Sequence, residues 1–146
     1  MTAAKSLSIE GIKTIGVIGA GQMGKGIAQV AAQTGYQVIV VEPYDEIIKK
    51  AQQSIEKNLL LAVERGKIKK KDQTTILSRL TFQKELESLS NADYIVEAAV
   101  ENGAVKIDIF SNLDQICAPH VILTTNTSSV RLGRLASATQ RPDKVL

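Results

Sequence analysis

Tryptophan is missing from this chain, and cysteine and histidine occur once each, as Cys117 and His120. One cysteine excludes an internal disulfide and fits a reducing compartment, so a cytoplasmic location is expected. One Cys and one His rule out zinc sites built from clusters of those residues, and no metal is expected. Two Phe and three Tyr leave few flat rings on which bases could stack. The net charge of +3 is therefore read as attraction for an anionic small molecule rather than for nucleic acid. No apolar run approaches the roughly 20 residues of a membrane helix, so no membrane partner is expected. The opening "MTAAKSLSIEGI" lacks the apolar centre of a secretory signal and carries both a Lys and a Glu. Residues 1–11 are taken as a flexible lead-in, and 12–146 as one domain with enough chain to bury a core.

What is abundant is alternation. Short β-branched runs bounded by turn residues take turns with segments of helical period. "TIGVIG" (14–19), "QVIVVE" (37–42), "LTF" (80–82), "ADYIVEAAV" (92–100) and "HVILTT" (120–125) read as strands. Helices are predicted from Met23 to a stop at Gly35, over 45–65 closed by Gly66, around 72–79, over 101–116, and over "VRLGRLASA". "KELES" reads as a helical turn or two, "NTSS" as a loop or N-cap cluster, and "KVL" as the opening of a further strand. Strands separated by helices pair in parallel through right-handed crossovers. The expected fold is α/β: a doubly wound, mainly parallel sheet covered by helices on both faces.

The stretch "IGVIGAGQMGKGIAQ" places Gly19, Gly21 and Gly24 after a predicted strand and at the start of a predicted helix. A G-x-G-x-x-G spacing alone is weak. In this context Gly19 permits a tight turn, Gly21 lets the backbone approach a pyrophosphate, and Gly24 lets helix and strand pack closely. Ala20, Gln22 and Met23 complete the loop, and the helix N-terminus offers free N–H groups to phosphates. Gly26 extends the small face, and its helical cost of up to about 1 kcal/mol relative to Ala predicts tight packing there. Glu42 ends the second strand 18 residues past Gly24, where a carboxylate can accept hydrogen bonds from both adenosine ribose hydroxyls. It would repel a 2′-phosphate, and Pro43 and Tyr44 follow it instead of an Arg, so NAD is expected over NADP. The alternative is a flavodoxin-like turn with incidental glycines and a surface Glu. The fold expected with the dinucleotide reading is Rossmann-like.

"IGVIGAGQMGKGIAQVAAQTGYQVIVVE", "ADYIVEAAVENGAVK" and "TTNTSS", in this order and spacing, resemble the N-terminal half of 3-hydroxyacyl-CoA dehydrogenases, the family that includes the 3-hydroxybutyryl-CoA enzymes. The resemblance runs from about Ile12 to Leu146. Dehydrogenases of the 3-hydroxyisobutyrate or 6-phosphogluconate type share the glycine loop but do not normally carry the "VEN…VK" and "NTSS" pair. The resemblance implies an NAD-dependent oxidoreductase of fatty acid metabolism that interconverts L-3-hydroxyacyl-CoA and 3-ketoacyl-CoA. It implies that Glu101 and Lys106, near one another on the first turns of one helix, reach the nicotinamide side of the cofactor. Ser128 would hydrogen-bond the reacting oxygen of the substrate beside the nicotinamide. Asn58 and Arg65 fall where relatives contact CoA. Arg65 and the lysines of "KIKKK" (67–71) either neutralise CoA phosphates or form a solvated basic helix end.

Departures from the family pattern are Glu42 for the more usual Asp, Gly103-Ala104 for bulkier residues, and Arg131 and Arg134 for small or neutral ones. The family's general base is a His in a "G-x-H-F-F-N-P"-like segment expected beyond Leu146, together with a helical domain through which the full-length protein forms a homodimer. His120, at the predicted start of a strand, belongs to the sheet end opposite the cofactor. The chain is therefore expected to bind NAD(H) and to turn over poorly alone. A free-standing NAD-binding module without catalysis is the alternative.

Overall fold

The computed structural model describes residues 9–146. Five strands, β1 (Thr14–Ile18), β2 (Gln37–Val41), β3 (Leu80–Gln83), β4 (Tyr94–Glu97) and β5 (Ile122–Thr125), form one parallel sheet in the order β3-β2-β1-β4-β5. Among the described residues four α-helices lie between the strands, α1 (Gln22–Thr34), α2 (Asp45–Glu64), α3 (Lys70–Ser78) and α4 (Gly103–Ile116), and a fifth, α5 (Leu132–Ser137), follows β5. The expected doubly wound sheet is present.

The two-residue period of a strand explains why helices lie on both faces. On β1, Val17 points into a core shared with Val38, Val40 and the buried sides of α1 (Ala28, Ala32), α2 (Ala51, Ile55, Leu59) and α3 (Ile76). Its neighbour Ile18 points the other way, into a core of Val41, Ile95 and Leu123 with α4 (Phe110, Leu113) and α5 (Leu135). Ile55 and Leu59, at helical spacing on α2, are essentially fully buried, and each contributes about 1.5–3 kcal/mol by leaving water. Successive strands move outward to β3, and the chain then returns past β1 to β4. The order therefore reverses between β1 and β4, and a crevice opens there at the C-terminal ends of the strands.

Several boundaries differ from the sequence reading, each for a local reason. The strand expected over 92–100 spans only Tyr94–Glu97. Ala98 still donates to the Ile18 carbonyl at 2.7 Å, but the Ala99 N–H turns to the side chain of Glu97, which ends the ladder. Helix α4 begins at Gly103 rather than at Glu101, because the Asn102 side chain caps it by accepting from Val105 N–H at 3.2 Å. Helix α3 starts two residues early, where the Lys69 N–H donates to the Asp72 carboxylate at 2.9 Å. "KELES" contributes to a 3-10 turn at Leu86–Leu89, and the last helix is shorter than expected, Leu132–Ser137. The expected further strand is a single parallel bridge of Val145 to Leu123, flanked by a Leu146 N–H donating to the Leu123 carbonyl. Most of the lead-in lies outside the described residues; within it, Ile9 N–H donates to the Tyr36 hydroxyl at 2.7 Å.

Candidate dinucleotide site

The crevice at the β1–β4 switch is bordered by three loops, those after β1, β4 and β5. In the first, Gly19 adopts φ +96°, and a Cβ there would lie 2.5 Å from the Ala98 carbonyl oxygen. A Cβ on Gly24 would stand 1.9 Å from the Gly19 carbonyl oxygen, so the turn and the start of α1 close on each other. These two glycines are required by the protein itself. Gly21 is different. Its backbone is extended, with φ −69° and ψ −166°, and a Cβ would meet nothing within 4 Å. A glycine that the fold does not need, at the N-cap of a helix with no side-chain cap and no acidic residue in its first turn, fits a pyrophosphate lying against the backbone. Ala20 is buried beside it, while Gln22 and Met23 are exposed on the first turn of α1. The tight packing expected at Gly26 is not found: this glycine is exposed and faces open space. Helix α1 carries that residue without any neighbour crowding it.

Glu42 follows β2 directly and is buried at 6% exposure. One carboxylate oxygen accepts from Ala20 N–H at 3.1 Å, and the other from Tyr44 N–H at 3.3 Å. Each oxygen keeps lone-pair capacity for a further donor. The carboxylate is thus fixed against the glycine loop.

Beyond β4 the arrangement is richer than the sequence suggested. Glu101 lies in the loop ahead of α4, half-exposed, and not on its first turn. Lys106 is on α4, but its side chain is buried at 1% exposure and pairs with Glu97 at 2.7 Å. The Lys106 ammonium also donates to the Ala99 carbonyl at 3.3 Å and stands 3.8 Å from Glu101. Glu97, fully buried, accepts on its second oxygen from the Thr125 hydroxyl at 2.7 Å. The Thr125 hydroxyl oxygen accepts from Thr127 N–H at 3.1 Å, and the Thr127 hydroxyl donates to Glu101. That last bond holds the Glu101 carboxyl below the usual carboxylate range, helped by the Lys106 charge and opposed by desolvation. Ser128 is exposed next to Thr127.

Glu97, Thr125 and Thr127 were not singled out from sequence. One signal was available: Glu97 shares the inward face of β4 with Ile95, where an unpaired charge would be costly. Asn58 and Arg65 are not brought to these loops. Asn58 is exposed along α2 and donates to the Gln29 side chain on α1 at 3.2 Å, and Arg65 stands two turns further, at the end of α2. By the 1.5 Å helical rise, Asn58 is about 20 Å along α2 from its start near Glu42. His120 is exposed two residues before β5, at the N-terminal end of the parallel strands, whereas the glycine loop is at their C-terminal end.

A parallel sheet with its crevice at the switch point, a glycine loop into a free helix N-terminus and an acid after β2 define a dinucleotide-binding domain of the Rossmann class. Within that class, the sequence model described as "3-hydroxyacyl-CoA dehydrogenase, NAD binding domain" matches residues 14–146, and the chain belongs to this family. It is 41% identical over 138 residues to a 3-hydroxybutyryl-CoA dehydrogenase of Mycobacterium tuberculosis, covering 94% of this chain and 48% of the relative. It is 46% identical over 127 residues to a probable 3-hydroxybutyryl-CoA dehydrogenase of Deinococcus radiodurans, covering 87% and 45%. The crystal structure of 3-hydroxybutyryl-CoA dehydrogenase from Escherichia coli K12 superposes with a TM-score of 0.89 at 37% identity, covering 92% of this chain and 28% of that one. The chain spans about half the length of the first two relatives.

Proposed function

We infer that this chain is the NAD-binding half of an oxidoreductase that interconverts L-3-hydroxyacyl-CoA and 3-ketoacyl-CoA in fatty acid metabolism. The observation that carries the reading is the joining of the loops after β4 and β5 by the Thr127–Glu101 bond. That bond joins the exposed Glu101 carboxylate to the residue preceding the exposed Ser128, which supports a shared role for the two at the cofactor. NAD, when bound, exchanges a hydride with the carbon that carries the substrate hydroxyl.

The residues of the chain divide the remaining work. Gly19 to Gly24 and the first amides of α1 hold the pyrophosphate, and Glu42 accepts from the ribose and repels a 2′-phosphate. Glu101 orients the nicotinamide end, with Lys106 behind it. The Ser128 hydroxyl hydrogen-bonds the reacting oxygen of the substrate. A group that takes the hydroxyl proton must stand within about 3 Å of it. His120, at the other end of the strands, is too remote for that, and the family resemblance assigns the base to a His of a segment that this chain does not contain. Asn58 and Arg65 are assigned to CoA on the family resemblance. The same resemblance supports a homodimer formed through a helical domain. A cytoplasmic location is proposed on the single cysteine, which leaves no internal disulfide possible. Among the described residues no helix is long and apolar enough to cross a membrane.

Calorimetric titration tests this directly. NADH is expected to bind at least tenfold more tightly than NADPH, about 1.4 kcal/mol, with Glu42 as the discriminating group. Acetoacetyl-CoA is expected to bind the NADH complex. NADH binding without any acyl-CoA binding would instead favour a free-standing cofactor module. Equal affinity for the two nucleotides would overturn the role of Glu42.

A further inference from the structure

Glu97, Lys106, Glu101, Thr127 and Thr125 close a ring across two loops. Starting from the Glu97 carboxylate, one oxygen accepts from Lys106 Nζ at 2.7 Å and Ala99 N–H at 2.6 Å. The other accepts from the Thr125 hydroxyl at 2.7 Å. Thr125 leads through its hydroxyl oxygen to Thr127 N–H, Thr127 to Glu101, and Glu101 back to Lys106 at 3.8 Å. The Thr127 hydroxyl oxygen also accepts from Ser129 N–H at 3.3 Å and Val130 N–H at 3.2 Å. The backbone on both sides of Ser128 is thereby tied to a carboxylate at the end of β4.

Resting on the dehydrogenase reading above, we propose that Glu97 and Thr125 are positioning residues, which lock the loops after β4 and β5 into one unit and thereby fix Glu101 and Ser128 relative to the nicotinamide. Glu97 is fully buried, closed off from the crevice by its own hydrogen-bond partners. A buried ion pair is a poor way to gain stability, since apolar residues of similar size often pack as well. What it supplies is direction. Three different elements must meet one carboxylate, and each is held at a set angle by a charge-assisted hydrogen bond. The bonds at Glu97 are buried or partly buried and so are shielded from competing water, while the outer Thr127–Glu101 bond is exposed. The inner part of the ring thus holds the loops together when the crevice is empty. The cofactor then meets a surface already shaped for its nicotinamide end. The adenosine end is served by Glu42 and the glycine loop, and the hydrogen bonds of Glu42 go to Ala20 and Tyr44, outside the ring.

That division provides the test, made on this chain with NADH and with ADP-ribose, which keeps the adenosine and pyrophosphate but lacks nicotinamide. Affinities come from calorimetry, and the nicotinamide environment from the fluorescence enhancement and blue shift of bound NADH. For Glu97→Gln and Thr125→Val, NADH affinity is expected to fall at least fivefold with loss of the blue shift. ADP-ribose affinity should stay within twofold, and Thr125→Ser, which restores the hydroxyl, should recover NADH binding. Should Glu97→Gln fail to fold, the Thr125→Val and Thr125→Ser pair decides the matter, because it leaves the ion pair in place. Parallel loss of both ligands would mean a merely structural role and would overturn the proposal, as would NADH binding unchanged in both variants. Failure of the unsubstituted chain to bind either ligand would overturn the dehydrogenase reading first, and this proposal with it.

Discussion

Gly21 and Gly24 are three residues apart and identical in chemistry, yet the space around them assigns opposite reasons for being glycine. A methyl at Gly24 would collide with the Gly19 carbonyl, a rigid backbone atom, whereas one at Gly21 would stand in solvent. Gly24→Ala is therefore expected to destabilise by roughly 1–3 kcal/mol or more, as overpacking against fixed atoms does. Gly21→Ala should leave stability within about 0.5 kcal/mol of the unsubstituted chain. It should nonetheless weaken NADH at least tenfold, because its methyl occupies the approach of the pyrophosphate. Urea unfolding and NADH titration of both variants separate the two reasons, and a Gly21→Ala chain that bound NADH normally would remove the cradle from the site. The motif assigned these two roles by position, Gly21 to the pyrophosphate and Gly24 to close packing, but the spacing alone did not show that the atom Gly24 must clear is the Gly19 carbonyl. Nor did it show that Gly26, which shares the same run of small residues, is crowded by nothing.

At the scale of elements, the periodicity of the sequence located the five strands of the sheet and the five α-helices of the described residues, but not the 3-10 turn at Pro142–Lys144. At three of the boundaries where it erred, a side chain had taken over a backbone hydrogen bond: Glu97 ending β4, Asn102 starting α4, and the Lys69–Asp72 turn starting α3. Such captures depend on rotamers and distant neighbours, so the local pattern of apolar residues carries little trace of them. The partnership of Glu97 with Thr125, 28 residues on, was hidden for the same reason. Arg141 is a further case. Its guanidinium is buried and donates to the Asp114 side chain and backbone carbonyl, and to the carbonyls of Cys117, Ala118 and Val121. All five of its N–H donors are used, closing the end of α4 against the start of β5. Arg141→Met should cost about 3–5 kcal/mol by leaving Asp114 and four carbonyls short of a partner. Arg141→Lys should recover only part, since an ammonium cannot spread over five acceptors. A lower urea midpoint with an unchanged slope is the expected signature.

For the molecule as a whole, the lone cysteine is a ready reporter. Cys117 sits at the end of α4, 5% exposed, with its thiol toward the Leu89 carbonyl at 3.8 Å. Burial pushes its pKa above the ordinary thiol value of 9.0, against the opposing pull of Arg141. The folded protein therefore holds the proton that the unfolded chain gives up. This contribution to stability is complete below the unfolded pKa and is lost as pH rises through the raised folded one. At pH 8 the native thiol should react with a disulfide reagent far more slowly than the denatured chain does. Saturating NADH should slow it further, by about a hundredfold when the ligand stands at 100 times its Kd and reaction requires unfolding. Fast labelling of the native chain would mean that the end of α4 opens locally.

The pairing of β1 with β4 has a consequence in time. Ile15 meets Tyr94 across 79 residues of chain, whereas its other partner, Val38, is only 23 residues away. Contacts so distant in sequence are slow to form, because the loop must close before any of its bonds contribute. The side of the sheet that carries α1, α2 and α3 can gather around β1 and β2 while the rest of the chain is still loose. The crevice, which exists only between β1 and β4, is then among the last features to appear as the polypeptide folds, and a cofactor has nowhere to dock until it does.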